Sequence, residues 1–330
     1  MRNILLIKTS SLGDVVHNLP AVSDIGRALG GANVDWAVER AFAGIPALHP
    51  GVRTVFPCEL RRWRHTWFAA QTRLEWRAFL AELRSERYDA IIDTQGLLKS
   101  AILARAARGQ RYGLDWQSSR EPLRLLYDRT FSVPWDLHAV ERNRRLCALA
   151  LGYAPTGAPA YGISCEPSCA AWLPSRPFLV LLHATSHPRK LWWEESWVEL
   201  GRQAHAAGFV LVLPWGVESE RERSVRLAHR LPRAAAVVPP RLELSELARV
   251  LAASAGVLGV DTGLTHLAAA LGVPTVGLYG ATDPRSTGVY NSGPALNLGS
   301  RARFPTSTEV WEALCHLGVA SSRTSTRLGA

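Results

Sequence analysis

The sequence predicts an α/β protein made of two doubly wound parallel sheets, each in its own domain. Three observations carry this. Short apolar runs of strand length alternate with stretches whose apolar residues recur every three to four positions, the order that builds parallel sheets with crossover helices. The alternation occurs twice, on either side of a stretch from Gly152 to Pro177 that is rich in proline, glycine and serine and lacks periodicity. Finally, 330 residues with 47% apolar content can bury two cores.

In the first half, strands are expected near 3–8, 33–38, 52–57 and 88–93, with helices near 17–29, 75–85 and 97–107. Ile4-Leu-Leu-Ile7 is uniformly apolar, as a strand covered on both faces should be, and stops at the polar run Lys8-Thr-Ser-Ser11. It is too short for a signal peptide or a membrane span. Leu19, Val22, Ile25 and Leu29 then keep helical spacing. In the second half, Phe178–Leu182, Phe209–Leu213, Ala235–Val238, Val257–Val260 and Thr275–Leu278 read as strands, and 194–207, 218–231, 244–253 and 263–271 as helices. The expected organisation is a first domain over 1–160, a linker over 161–177 and a second domain over 178–330. The Ser- and Arg-rich tail from Ser321 to Ala330 is expected to be frayed.

Two loops stand where open α/β sheets bind ligands, at the C-terminal ends of strands. The first is Lys8-Thr-Ser-Ser-Leu-Gly-Asp-Val-Val-His17, in which Asp14 is the only acid. Asp14 is either a ligand-facing carboxylate or the cap of a helix beginning near Val15. The second is the run from Gly259 to Thr275, which sets Asp261, Thr262 and Gly263 at a seam between strand and helix. Unpaired N–H groups and the positive end of the helix dipole favour a phosphate there, and glycine lets the backbone come close. Asp261 and His266 would face the same ligand; in the bland alternative Thr262 is an ordinary cap and His266 faces solvent.

With 38 basic against 28 acidic residues, the chain suits an anionic partner. Lysine occurs only at Lys8, Lys99 and Lys190, so 38 − 3 leaves 35 arginines, and each lysine marks a place where a compact ammonium is preferred to a planar fork. The basic residues are scattered and no nucleic-acid module is visible, which argues against a DNA or RNA partner. No Gly-x-Gly-x-x-Gly, P-loop, Gly-x-Ser-x-Gly or His-Glu-x-x-His occurs. Five cysteines suit a reducing cytoplasm, and Cys165 and Cys169 have no second pair with which to complete a zinc site. Arg61, Arg62 and Arg64, interleaved with Trp63 and Trp67 and followed by Arg73, suit carboxylates, phosphates or a membrane interface.

The loops at 8–17 and 261–274 resemble the two signature loops of the bacterial lipopolysaccharide heptosyltransferases, GT-B glycosyltransferases that use ADP-heptose, and the resemblance runs from Met1 to about Leu317. Arg61-Arg-Trp-Arg64, Asp115-Trp-Gln-Ser-Ser-Arg-Glu-Pro122 and His138-Ala-Val-Glu-Arg142 are similar to the branch that adds the first heptose to the Kdo of lipid A. The resemblance implies two Rossmann-like domains facing across a cleft, the first binding acceptor and the second donor. It implies Asp14 as the general base of an inverting transfer. Thr185, Ser186 and Lys190, in the loop His183-Ala-Thr-Ser-His-Pro-Arg-Lys190, would hold the diphosphate, and Glu220 the ribose, with Glu218 as local rival. Asp261, Thr262, Gly263 and His266 complete the implied donor set; Ser10, Ser11, Gly13, Arg61, Arg62, Arg64 and Arg120 form the implied acceptor set.

The implied partners are ADP-heptose and Kdo-lipid A, with peripheral contact at the cytoplasmic face of the inner membrane. No cofactor is expected. The chain also lacks an Asp-x-Asp, so no metal is expected and lysine, hydroxyls and a helix terminus would carry the charge. Its rivals are the enzyme that adds the second heptose, a catalytically inert sugar-nucleotide-binding module and a nucleic-acid binder.

Overall fold

The first strand, β1 (Asn3–Ile7), is central, and the chain winds outward from it in both directions. A computed structural model describes residues 2–290 and 293–320, so the expected frayed tail lies outside the described residues. The chain divides into two compact units with the boundary between Ser164 and Cys165.

The first unit carries one six-stranded sheet in the order β3-β2-β1-β4-β5-β6, parallel throughout. Its other strands are β2 (Asn33–Glu39), β3 (Val52–Cys58), β4 (Arg87–Asp93), β5 (Arg108–Leu114) and β6 (Arg129–Phe131). Its helices are α1 (Leu12–Val16), α2 (Leu19–Leu29), α3 (Leu60–Trp63), α4 (Ala70–Leu83), α5 (Leu98–Ala106) and α6 (Ala139–Leu151). Ile4 through Ile7 are fully buried because helices cover both faces of the sheet. On one face Leu5, Ile7 and Phe56 pack with Trp63, Phe79, Ala101, Leu103, Leu123 and Tyr127, so α3, α4, α5 and the 3-10 turn Arg124–Leu126 form one layer. Truncating a residue such as Leu5 to alanine would cost about 2–5 kcal/mol.

The second unit repeats the plan, in the order β12-β11-β10-β7-β8-β9 and again all parallel. Its strands are β7 (Phe178–Leu182), β8 (Val210–Val212), β9 (Ala236–Val237), β10 (Gly256–Val260), β11 (Thr275–Tyr279) and β12 (Ala295–Gly299). Its helices are α7 (Glu194–Ala206), α8 (Glu218–His229), α9 (Leu244–Ala253), α10 (Gly263–Ala270), α11 (Pro284–Thr287) and α12 (Ser307–His316). The turn from β10 into α10 is tight. A Cβ at Gly259 would stand 2.1 Å from Thr265 Oγ1, and that hydroxyl donates to Val260 O at 2.7 Å. Only glycine lets the helix lie this close to its strand.

Several elements differ from the sequence expectation. The helix expected at 17–29 is α2, which starts two residues later with Pro20 in its first turn; the short α1 precedes it, separated by a break at His17–Asn18. The helix expected at 75–85 begins five residues earlier, and the arginine-rich segment at 61–64 includes a short helix. β5 was not expected because Arg-Gly-Gln-Arg-Tyr-Gly-Leu carries two glycines and three polar residues, a composition tolerated toward the sheet's edge. α6 was missed because Asn143 and Arg144 lie on its buried face, where apolar residues would mark the period; Arg144 is held there by Asp24 at 2.7 Å.

Candidate active site

In each unit the two strands at which the winding reverses leave their following loops side by side, and the candidate residues gather there. In the first unit these strands are β1 and β4. Gln95 Oε1 accepts the backbone N–H groups of Thr9 and Ser10 at 3.0 and 3.1 Å, fixing the loop after β1. Lys8 turns inward, only 7% exposed, and donates to Thr94 O at 2.6 Å and Asn143 Oδ1 at 3.3 Å. Burial holds its ammonium below the ordinary lysine value, against the opposing charges of Asp14 and Asp93. Lys8 therefore braces the site rather than lining it.

Asp14 sits in the first turn of α1, partly exposed. Its Oδ2 accepts from Ser11 N at 2.8 Å and Ser11 Oγ at 2.9 Å. The carboxylate does cap its helix, but with one oxygen, which leaves Oδ1 outside these bonds. Gly13 lies beside it, the second residue of α1. Ser10 Oγ accepts from Lys99 Nζ at 2.7 Å. Lys99 is a candidate site residue that sequence reasoning singled out only through the scarcity of lysine; its place in the first turn of the helix after β4 was the available signal. Its ammonium is held below the ordinary value by burial and then by the Arg61 charge, opposed by Glu39, Cys58 and Asp14.

The structure separates the arginines expected to act together. The Arg61 backbone N–H donates to Glu39 Oε1 at 3.1 Å, and its guanidinium lies 5.8 Å from the Phe42 ring centroid. Arg62 is taken up by Glu59 and Glu75. Arg64 Nε approaches His65 Nε2 at 3.1 Å. Arg120 is exposed; burial and then the Arg120 charge hold the Arg142 guanidinium below its ordinary value, and Arg142 stacks 3.7 Å above Trp135. Among the described residues neither Lys99 nor Arg61 has a carboxylate oxygen within ion-pair distance.

In the second unit the reversal lies between β7 and β10, and Asp261 is its hub. Lys190 Nζ stands 2.7 Å from Asp261 Oδ2, Thr282 Oγ1 donates to the same oxygen at 2.6 Å, and His266 Nε2 stands 3.8 Å from Oδ1. Thr185 Oγ1 reaches Asp261 O at 3.4 Å. Burial alone would raise the Asp261 carboxyl. His266, Lys190 and Thr282 outweigh it and hold the group well below the usual carboxylate range. Thr262 is the N-cap residue of α10 with no side-chain cap bond, and Gly263 is the first helical residue; the Thr265 N–H bonds Thr262 O at 3.1 Å, and this helix start is the kind of place that favours a phosphate. His266 is buried rather than solvent-facing. Thr282 was missed because its loop after β11 has no motif of its own.

Ser186 is exposed in the loop after β7. That loop is anchored at its root by buried His183, whose Nε2 lies 2.8 Å from Ser224 Oγ; burial and then Arg223 push its imidazole down to about 3. Glu220 Oε2 accepts Gly216 N at 2.7 Å and Val217 N at 3.4 Å at the start of α8, whereas Glu218 pairs with Arg221 at 2.8 Å.

Two doubly wound units, one with a half-exposed carboxylate at its switch point and the other with a cation and a helix start without a side-chain cap, have the layout of a GT-B glycosyltransferase. The chain belongs to glycosyltransferase family 9, the heptosyltransferases, whose model matches residues 76–308. It is 48% identical over 300 residues to lipopolysaccharide heptosyltransferase 1 of Pseudomonas aeruginosa, covering 90% of this chain and 83% of that one. Its identity to lipopolysaccharide heptosyltransferase 1 of Escherichia coli K12 is 45% over 290 residues, covering 87% and 90%. Among solved structures it is similar to E. coli heptosyltransferase WaaC with ADP, at a TM-score of 0.86 and 40% identity over 96% of this chain and 99% of that one. The E. coli ADP-heptose heptosyltransferase II shares the fold at a TM-score of 0.76 with 21% identity, over 96% and 98% of the two chains.

Proposed function

We propose that this heptosyltransferase moves L-glycero-D-manno-heptose from ADP-heptose to the Kdo of Kdo-lipid A, with inversion, in lipopolysaccharide inner-core synthesis. The observation that carries the reading is the identity of 48% and 45% to two relatives named lipopolysaccharide heptosyltransferase 1. A solved relative carries ADP, and another ADP-2-deoxy-2-fluoro heptose.

Asp14 takes the proton from the Kdo hydroxyl as that oxygen attacks the anomeric carbon, and ADP departs. Ser11 fixes one carboxylate oxygen of Asp14 and so aims the other, which is the pre-organisation a general base needs. Ser10, Ser11 and Gly13 form the floor on which the acceptor rests. Arg61 and Lys99, two neighbouring cations without a carboxylate in contact, receive its anionic groups, with Arg64 and Arg120 at the periphery. Lys190, Thr185, Ser186, Thr262 and Gly263 hold the diphosphate and stabilise the charge that develops on it. Asp261, with His266 behind it, aims Lys190 and meets the heptose hydroxyls; Glu220 takes the ribose. Lysine and amides would carry the charge that a divalent ion carries in other glycosyltransferases, so that transfer proceeds without metal. The enzyme works peripherally at the cytoplasmic face of the inner membrane.

The test is transfer from ADP-heptose to Kdo-lipid A that carries no heptose, against acceptor that already carries one, with and without chelator. Preference for the heptose-free acceptor, insensitive to chelator, is expected. Exclusive use of the heptosylated acceptor would reassign the chain to the second transfer, and the absence of any transfer would leave a binding module.

A further inference from the structure

The outer side of the α3–α4–α5 layer joins two features that soluble surfaces normally keep apart. Phe68 is 91% exposed and Leu125 is 93% exposed, and Trp67, Leu74, Leu98 and Ile102 also stand out from this layer. Of the eleven large hydrophobic side chains exposed on the described chain, eight lie between Trp67 and Trp135. Apolar side chains gathered in this way mark a contact surface. Leu98 and Ile102 are four apart on α5, one above the other, and Arg105 follows on the same side of the helix.

The same stretches concentrate the chain's positive charge. Residues 59–77, 98–106 and 119–126 hold nine cations, Arg61, Arg62, Arg64, Arg73, Arg77, Lys99, Arg105, Arg120 and Arg124, against three carboxylates, Glu59, Glu75 and Glu121. Glu59 and Glu75 are engaged by Arg62, and Glu121 by the Leu98 N–H at 2.6 Å, while the Lys99 ammonium turns to Ser10. Nine minus three is six of the chain's net charge of +10. Nucleic acid would want the cations without the aliphatic knobs, and a protein partner would want apolar surface with little net charge.

We propose that this face docks on an anionic lipid bilayer, with Phe68 and Leu125 entering the interfacial region and the surrounding arginines meeting lipid phosphates. Apolar tips enter such an interface by about 5–10 Å, and each nearby Lys or Arg adds about 1 kcal/mol of attraction to an anionic leaflet. The membrane site deepens the proposed function, resting on that reading for the lipid-borne acceptor, and it names the side of the first unit that meets the lipid.

The experiment uses the full chain and vesicles without acceptor, made of phosphatidylcholine alone or mixed with phosphatidylglycerol. Sedimentation is expected with the mixed vesicles only, weakening as salt rises. The double variant Phe68→Ser/Leu125→Ser should lose at least about tenfold in vesicle partition. It should keep its thermal midpoint and its transfer to a water-soluble acceptor lacking acyl chains. Unchanged partition in the double variant, or no binding of the native chain to anionic vesicles, overturns the docking surface. Vesicle binding by a chain that transfers no heptose overturns the functional reading and leaves the surface standing.

Discussion

Lys8 and Lys190 each belong to the loop after the central strand of their unit, yet the fold uses them in opposite ways. Lys8 points into the protein and is satisfied by a carbonyl and an amide. Lys190 stays at the surface and is held by a buried carboxylate. The two carboxylates differ in the same sense. Asp14 is half-exposed and bound by its own helix start, whereas Asp261 is gripped by groups from three elements. A group that must gain a proton during turnover needs water and few donors; a group that must remain an anion needs the reverse. Under the proposed mechanism, the first unit holds the group that changes charge and the second the group that keeps it.

The largest effect should come from Asp14→Asn, which keeps an acceptor for Ser11 and removes the basicity. Turnover should fall by about 10² to 10⁴ with little change in the Kd for ADP-heptose. Near-native turnover would break the contrast at its first term. Next, Lys190→Met should weaken ADP-heptose binding by about 10- to 100-fold, the scale of a lost charge-assisted hydrogen bond. Asp261→Asn in that background should restore part of the loss, because it removes the stranded anion; strict additivity of the two changes, measured by calorimetry, would dissolve the pair as a unit.

A smaller effect separates the arginines. Arg61→Ala and Lys99→Met should each raise the acceptor KM by about tenfold. Arg62→Ala should leave that KM alone and slightly lower the thermal midpoint, since Arg62 is bound by Glu59 and Glu75. Equal KM changes at all three positions would erase the distinction.

The smallest effect is a pH dependence of folding. The His183 imidazole is pushed down to about 3, so the unfolded chain binds its proton first as pH falls. Its contribution is complete above about 6.5 and is lost on acidification toward the folded value. Denaturant midpoints between about pH 7 and about pH 5 should decline less in His183→Asn than in the native protein. Identical slopes would remove His183 as the buried anchor of the donor loop.

The alternation of strands and helices was legible because apolar period survives wherever one layer covers another, as in Ile4–Ile7 and Phe178–Leu182. It failed at α6, where the buried positions include an arginine paired with Asp24, and at β5, where glycines interrupt the run. Asp14, Lys190 and Asp261 could be proposed from sequence because each lies in the motif-bearing loop that follows a strand. Lys99 and Thr282 could not be placed, since their roles come from contacts across 89 and 21 residues of sequence. Nor does sequence reveal that Arg61 and Arg62 part company, because the choice lies with Glu59 and Glu75 on neighbouring turns.

Gly259 bears no functional atom, yet it sets how closely the start of α10, the proposed donor cradle, lies on its strand. A single added methyl would strike the Thr265 hydroxyl, and relief must come either from turning Thr265 away from its bond to Val260 O or from moving α10 off its strand. If the proposed donor site is right, a loss-of-binding screen would return this buried position beside Lys190, and Gly259→Ala would look like a ligand mutant while leaving every ligand-facing side chain unaltered.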